Sequence, residues 1–226
     1  MKTLKVLCIS DKVDPLIYSS NVKKRFGNIN LILSAGDLNM DYYGFIVSSL
    51  NKPLLFVFGN HNLKKLHKYR KTSSDSFPLK TEQIINFQKT YGATYVGDKV
   101  LKVNSLLIAG LGGSRIYNGG ANQFSEIDMG FKIMKLLPFL IFNRLIYGRW
   151  LDILLTHAPP WGIGDKNDKC HQGFKVFRIF MKIFKPKYLL HGHIHLYDIN
   201  AQREFQFKKT KIVNIYEHKI LEIEIL

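Results

Sequence analysis

An α/β fold is predicted by three observations. Short apolar runs recur along the chain, helical patterns lie between them, and the runs end in polar loops that carry Asp, Asn or His. Runs of three to eight residues rich in β-branched and aromatic side chains read as buried strands. Strands alternating with helices are the pattern of an α/β layer architecture. Reactive side chains gathered at strand ends place a site there.

The strands come first in the argument. Leu4 to Ile9 runs into Ser10-Asp11, Leu31 to Leu33 into Gly36-Asp37, and Leu54 to Phe58 into Gly59-Asn60-His61. Further on, Leu106 to Ala109 precedes Gly110 to Gly113, Leu151 to Leu155 precedes Thr156-His157, and Tyr188 to Leu190 precedes His191-Gly192-His193. Helices are expected over Tyr18 to Phe26, Tyr42 to Leu50, Glu82 to Tyr91 and Phe174 to Phe184. The last has one face of Phe174, Phe177, Ile179-Phe180 and Ile183-Phe184 and an opposite face of Lys175, Arg178, Lys182 and Lys185, and Pro186 stops it. At the C-terminus, Ile212 to Tyr216 and Lys219 to Leu226 predict a closing hairpin that turns near Glu217-His218. Leu63 to Lys80 reads as a basic surface loop. The stretch 123–150 reads as a helical insertion broken near Pro138. Its apolar residues from Met134 to Tyr147, flanked by Lys132, Lys135, Arg144 and Arg149, are expected to form core or a lid, with a lipid-contacting basic amphipathic helix as the alternative.

Composition narrows the class. The chain has 226 residues, which suits one domain, 1–226, with a substantial core. Apolar residues make up 46%, which excludes a disordered polymer. The net charge is +16, from 33 basic and 17 acidic side chains. Such a field attracts anions, so an anionic phosphorylated substrate is the expected partner. Nucleic acid is a second candidate, through the basic run Lys64 to Lys71, and a membrane partner is not expected. Two cysteines, Cys8 and Cys170, give no disulfide framework. No stretch approaches ~18 consecutive apolar residues, and the N-terminus does not read as a signal peptide, so a cytoplasmic protein is expected. The oligomeric state is not legible.

The chemistry follows from the side chains at the strand ends: Asp11, Asp37, Asn60, His61, His157, His193 and His195. Carboxylate, amide oxygen and imidazole are ligands for Mn²⁺, Fe²⁺ or Zn²⁺. The missing thiolates argue against a structural zinc site. A carboxylate such as Asp37 can bridge two ions, and two ions ~3.5–4 Å apart can share a hydroxide and clamp a phosphoryl group.

Gly36-Asp37, Gly59-Asn60-His61, Thr156-His157 and Gly192-His193-Ile194-His195, in this order and at these intervals, resemble the calcineurin-like metallophosphoesterase family. The resemblance covers Leu4 to Leu226 and implies a four-layer αββα sandwich. The segment from Thr156 to Asp165 resembles the small-phosphodiesterase branch of that family. Carried over position by position, a second metal would be held by Asp37, Asn60, His157 and His193. A first would be held by Asp11, Asp37 and His195, with Val13 where the family has a further histidine. The first site is therefore expected to be the weaker, unless Asp14 or Asn39 supplies an oxygen. His61 resembles the histidine that assists the leaving group. Asn62 stands where an acidic residue usually follows it, and an amide can orient an imidazole but adds no charge. The resemblance implies a metal-dependent hydrolase of phosphate esters, diesters favoured, that uses a metal-bridging hydroxide. The alternative is a catalytically weakened protein that binds a phosphorylated or nucleic-acid ligand on the same fold. A lipid-linked pyrophosphate hydrolase is a third reading. Asp165, Asp168 and His171 are expected on a polar surface loop, His67 and His218 at the surface, and His191 behind the metal ligands.

Overall fold

The computed structural model describes residues 2–68, 91–198 and 200–225. Its elements are β1 (Lys2–Ser10), α1 (Val22–Phe26), β2 (Leu31–Ser34), α2 (Met40–Leu50), β3 (Leu54–Phe56), a 3₁₀ helix (Leu63–Lys68), β4 (Ala93–Tyr95), β5 (Lys99–Val103) and β6 (Leu106–Leu111). After them come β7 (Ser114–Arg115), β8 (Gln123–Phe124), α3 (Glu126–Tyr147), β9 (Ile153–Thr156), α4 (Lys175–Phe184), β10 (Tyr188–His191), β11 (Glu204–Phe207), β12 (Thr210–Asn214) and β13 (Glu217–Ile225).

Two sheets pack face to face. One has the order β13-β1-β2-β3-β4 and the other β11-β12-β10-β9-β6-β5. Alternation along β1 shows why. Val6 and Cys8 join Leu31, Leu33, Ile108, Leu155, Leu190 and Val213 in a cluster between the sheets. Leu7 and Ile9 turn the other way, against Phe26 of α1 and Tyr43 and Ile46 of α2. On the far side of the second sheet, Leu107, Ala109, Leu154, Leu189 and Ile212 pack against α3 and α4. Strands buried on both faces read as unbroken apolar runs, as β2 and β9 do. The result is the expected αββα sandwich.

Several expectations require correction. The C-terminal strands are not a hairpin. β12 pairs with β10 and β11 in the second sheet, whereas β13 runs antiparallel to β1 in the first, from Lys2↔Ile225 to Ser10↔Glu217. Leu221 and Ile223 then reach the inter-sheet core, and the free edge of β1 is covered, which a local hairpin would leave exposed. The hairpin in this region is β11–β12 instead. α3 is not broken at Pro138 but is one helix of 22 residues. Proline removes a single backbone donor, and here it lies on the solvent side. A Ser125–Asp128 capping box and Gly148, left-handed at φ 70°, hold the two ends. α1 starts only at Val22, because residues 14–19 close a turn in which the Asp14 carbonyl accepts from the N–H groups of Ile17 and Tyr18. Leu63–Lys68 is a 3₁₀ helix that buries Leu66, not a loop. The rest of the expected loop to Lys80, the helix from Glu82 up to Tyr91 and the distal part of the basic run to Lys71 lie outside the described residues, as does the side chain of His67.

Candidate metal centre

The C-terminal ends of β1, β2, β3, β9 and β10 converge, and their following residues are the polar ones singled out above. Three of these, Asp11, Asp37 and His193, have left-handed backbones, with φ of 65°, 58° and 66°. Such conformations cost about 1 kcal/mol or more each and persist where surrounding bonds enforce them. Here they do. Asp11 N–H donates to the Gly36 carbonyl, and His193 N–H donates to both carboxylate oxygens of Asp11 at 3.0 Å. His61 N–H donates to Asp37 Oδ1 at 2.8 Å, and the Asn62 side-chain amide donates to the Asp37 carbonyl at 2.9 Å. Two glycines admit the close approach. A Cβ on Gly59 would lie 2.1 Å from Asp37 Oδ1 and 2.5 Å from His157 Cε1, and one on Gly192 would lie 2.3 Å from Asp11 Oδ2.

Four donors meet in a buried knot. His157 Nε2 lies 2.9 Å from Asn60 Oδ1, 3.1 Å from His193 Nδ1 and 3.3 Å from Asp37 Oδ2. The opposite nitrogen of each ring faces a backbone carbonyl. His157 Nδ1 is 2.8 Å from Ala35 O, and His193 Nε2 is 2.6 Å from Cys170 O. A carbonyl only accepts, so those outer nitrogens carry the protons. The inner nitrogens of the neutral rings are then bare lone pairs turned toward each other, and that of His157 also faces the Asn60 and Asp37 oxygens. Acceptors converge in this way only around a positive charge. Two donors bound ~2.1 Å from one cation lie about 3.0–3.4 Å apart, close to the three separations from His157 Nε2. Asp37, Asn60, His157 and His193 therefore fit a divalent ion, with outer nitrogens fixed by backbone carbonyls as ligating histidines usually are.

Without an ion, a proton takes that place. Burial alone would depress His157, but the neighbouring Asp37 carboxylate and its hydrogen bond outweigh it and lift the pKa to about 9. Burial and the adjacent His157 push His193 down to about 3. Burial would raise Asp37, yet the His157 charge, the His157 hydrogen bond and the His61 N–H together hold it below the usual carboxylate value.

The second set of donors is looser. Nearest donor atoms of Asp11, Asp37 and His157 lie within 4.8 Å of one another. His195 Nε2 stands 3.9 Å from Asp11 Oδ1, and the other nitrogen of its ring is 3.0 Å from the Tyr197 hydroxyl. Val13 is half-buried against the apolar cluster of the first sheet. Neither oxygen donor considered as a substitute is free. Asn39 Oδ1 caps α2 by accepting from Tyr42 N–H at 2.7 Å. Asp14 accepts from Leu16 N–H through Oδ1 and is paired with His218 through Oδ2. His218 is thus a structural partner and not a loose surface residue. Asn62 likewise departs from expectation: its amide braces the Asp37 backbone, not the His61 ring.

Residues that were not anticipated complete the centre. The Tyr117 hydroxyl accepts from Asn60 Nδ2 at 3.1 Å, which turns Oδ1 toward His157. The Asn122 side chain donates to the Phe58 carbonyl at 3.2 Å and also to that of Gly59. The 165–173 loop is more than polar surface, since its Cys170 carbonyl holds the His193 ring. Asp165 closes the loop by accepting from Gly173 N–H, and Asp168 accepts from His171 N–H. His191 is buried directly behind the ligands, with Nδ1 3.0 Å from the Gly192 carbonyl, and burial lowers its pKa to about 4. Beside His195 opens a cavity of about 280 Å³ lined by Lys12, Tyr197, Arg203 and Tyr216 among others.

Comparison with known proteins places this arrangement. The crystal structure of TT1561 of Thermus thermophilus superposes with a TM-score of 0.63 at 13% identity, covering 98% of each chain. The crystal structure of phosphopantetheinyl hydrolase (PptH) from Mycobacterium tuberculosis superposes with a TM-score of 0.52 at 11% identity, covering 94% of this chain and 88% of that one. At such identities the likeness is one of fold. No curated protein sequence matches the chain. The family model described as calcineurin-like phosphoesterase matches residues 4–197, which include every donor named above. The chain belongs to the calcineurin-like phosphoesterase family, whose members are phosphoester hydrolases that generally use divalent metals.

Proposed function

We propose that the protein hydrolyses phosphodiesters, with two divalent cations, Mn²⁺, Fe²⁺ or Zn²⁺, held at the converging strand ends. The observation that carries this reading is the knot of bare acceptors formed by Asp37, Asn60, His157 and His193. The cations, when bound, supply Lewis-acid activation of water and neutralise charge on phosphoryl oxygens. The chain's own residues supply the rest. Asp37 pairs with His157 at 3.3 Å and also lies within 4.8 Å of the Asp11 carboxylate, so it stands between the two sets. His61, exposed and anchored through its N–H to Asp37, presents its ring at the rim for proton donation to a departing alkoxide. The cavity beside His195 is lined by Lys12 and Arg203 together with Asp198 and Glu217, the last paired with Lys12, and Tyr197 and Tyr216 give it aromatic walls. A diester's second organic arm fits such a surface, where a monoester has none to offer. The segment from Thr156 to Asp165, which resembles the small-phosphodiesterase branch, supports the same choice.

The donor set around Asp11 and His195 is the weaker holder, because Val13 contributes no nitrogen and Asp14 and Asn39 are engaged elsewhere. That feature favours a second reading, a weakened enzyme that retains a phosphorylated ligand without turnover. Hydrolysis of bis-p-nitrophenyl phosphate and of p-nitrophenyl phosphate, each with added Mn²⁺, Fe²⁺ or Zn²⁺, separates the readings. Faster diester turnover that Asp37→Asn abolishes is expected. Turnover of neither ester with any of the metals would refute hydrolysis, and a preference for the monoester would refute the diester assignment.

A further inference from the structure

The outer face of α3 is apolar where water should meet it. The buried side of the helix is served by Met129, Leu136 and Leu140. A second stripe, Ile127, Phe131, Met134, Ile141 and Leu145, lies on the opposite side, and each of these side chains is between 50% and 77% exposed. Their spacing of four, three, seven and four residues keeps them on one line along the helix. From Ile127 to Leu145 that line runs for ~27 Å. An amphipathic helix needs only one apolar face to join its domain, and this one has two. The neighbouring α4 repeats the feature: Ile179 and Ile183, expected from the sequence on the same face as Phe177, Phe180 and Phe184, are about half exposed and only the phenylalanines are buried. Both helices cover the same side of the second sheet. They are joined where the Glu126 carboxylate accepts from the N–H groups of Lys175 and Val176. The two outward faces therefore form one platform.

The charge on the platform has one sign. Lys135, Arg144, Lys175 and Lys182 are exposed beside the apolar residues. Past Asp128 in the first turn, α3 has no acidic side chain, and α4 has none at all. The whole chain carries +16. We infer that the α3–α4 platform docks on an anionic lipid surface, with the stripe from Ile127 to Leu145 entering the headgroup–acyl boundary and the flanking lysines and arginine meeting lipid phosphates. A helix lying in the interface plane with basic flanks is the physical form of such binding. No helix among the described residues is long and apolar enough to cross a membrane, so the platform lies on the bilayer and does not span it. A second copy of the chain is the poorer occupant, because like faces would oppose basic flanks to basic flanks. The core reading of this segment holds for the inner stripe only, and the outer stripe follows the alternative of a lipid-contacting helix.

The experiment is flotation of the full chain with vesicles of phosphatidylcholine, with and without phosphatidylglycerol, at low and high salt. Binding to the mixed vesicles, weak binding to neutral ones and loss in high salt are expected. The Phe131→Glu/Leu145→Glu variant should bind at least ~10-fold less, since each side chain contributes several buried carbons. Both positions are exposed, so the fold should tolerate the change. Should the charged pair unfold the protein, as judged by circular dichroism, Phe131→Ser/Leu145→Ser gives the same reading. No flotation with the mixed vesicles, equal binding to neutral vesicles or undiminished binding by a folded variant would overturn the inference. So would a dimer, seen by sedimentation, that the variant abolishes in a protein that ignores vesicles.

Discussion

Metal uptake should release about one proton near neutral pH, because the ion and the proton on His157 compete for one space. The perturbation is pH. In the metal-free protein the Asp37 carboxylate holds His157 at a pKa of about 9, so at pH 7 its inner nitrogen is protonated. Burial keeps His193 near 3, so that ring arrives already neutral, and Asp37 is ionised. One proton must therefore leave for each ion that enters the four-donor site. Apparent affinity should rise ~10-fold per pH unit up to about pH 9 and flatten above it, since affinity follows the deprotonated ligand. Linkage gives the sign for stability. A histidine whose pKa is raised on folding from 6.5 to about 9 stabilises the metal-free fold fully below pH 6.5, and that contribution disappears as pH rises through 9. The metal-free protein should thus melt lower at pH 9.5 than at pH 7, all else equal, and added ion should close the gap. Calorimetric titration with Mn²⁺ in two buffers of different ionisation enthalpy counts the protons. A count of zero at pH 7, or an affinity independent of pH between 6.5 and 8.5, would refute the acceptor-knot argument.

Other perturbations separate the roles of single residues. Gly59→Ala should abolish tight metal binding while leaving a folded protein, because the new Cβ would lie 2.1 Å from Asp37 Oδ1; metal analysis after gel filtration checks it. Tyr117→Phe frees the Asn60 amide to rotate and should weaken metal affinity ~10-fold or more, measurable by competition with a chelator. His61→Ala should slow substrates with poor leaving groups by ~10²-fold or more and activated aryl esters much less; equal losses for both would leave His61 no role as an acid.

Much of the architecture was legible because buried strands and catalytic loops leave local signals. The runs before Asp11, Asp37, Asn60, His157 and His193 appear as apolar stretches regardless of what they pack against, and the structure brings those five side chains to one place. The errors arose where distant partners decide. Ile212 to Asn214 and Lys219 to Ile225 both read locally as strands, yet one joins β10 and the other joins β1, a pairing between distant parts of the chain that no local pattern encodes. Tyr117 and Asn122 carried no signal either, since each acts through a hydrogen bond to a residue more than 50 positions away.

The sequence by itself determined the strand ends, the donor types and their order, because burial and metal chemistry restrict which residues can occupy those positions. Only the tertiary structure decided which nitrogen of each histidine faces the ion, since the carbonyls of Ala35 and Cys170 settle that from remote segments. It also decided that Asp14 and Asn39 are spent on a turn and a helix cap. And it decided that a second apolar stripe of α3 faces outward: hydrophobicity is a property of the residue, but burial depends on what the rest of the chain places beside it.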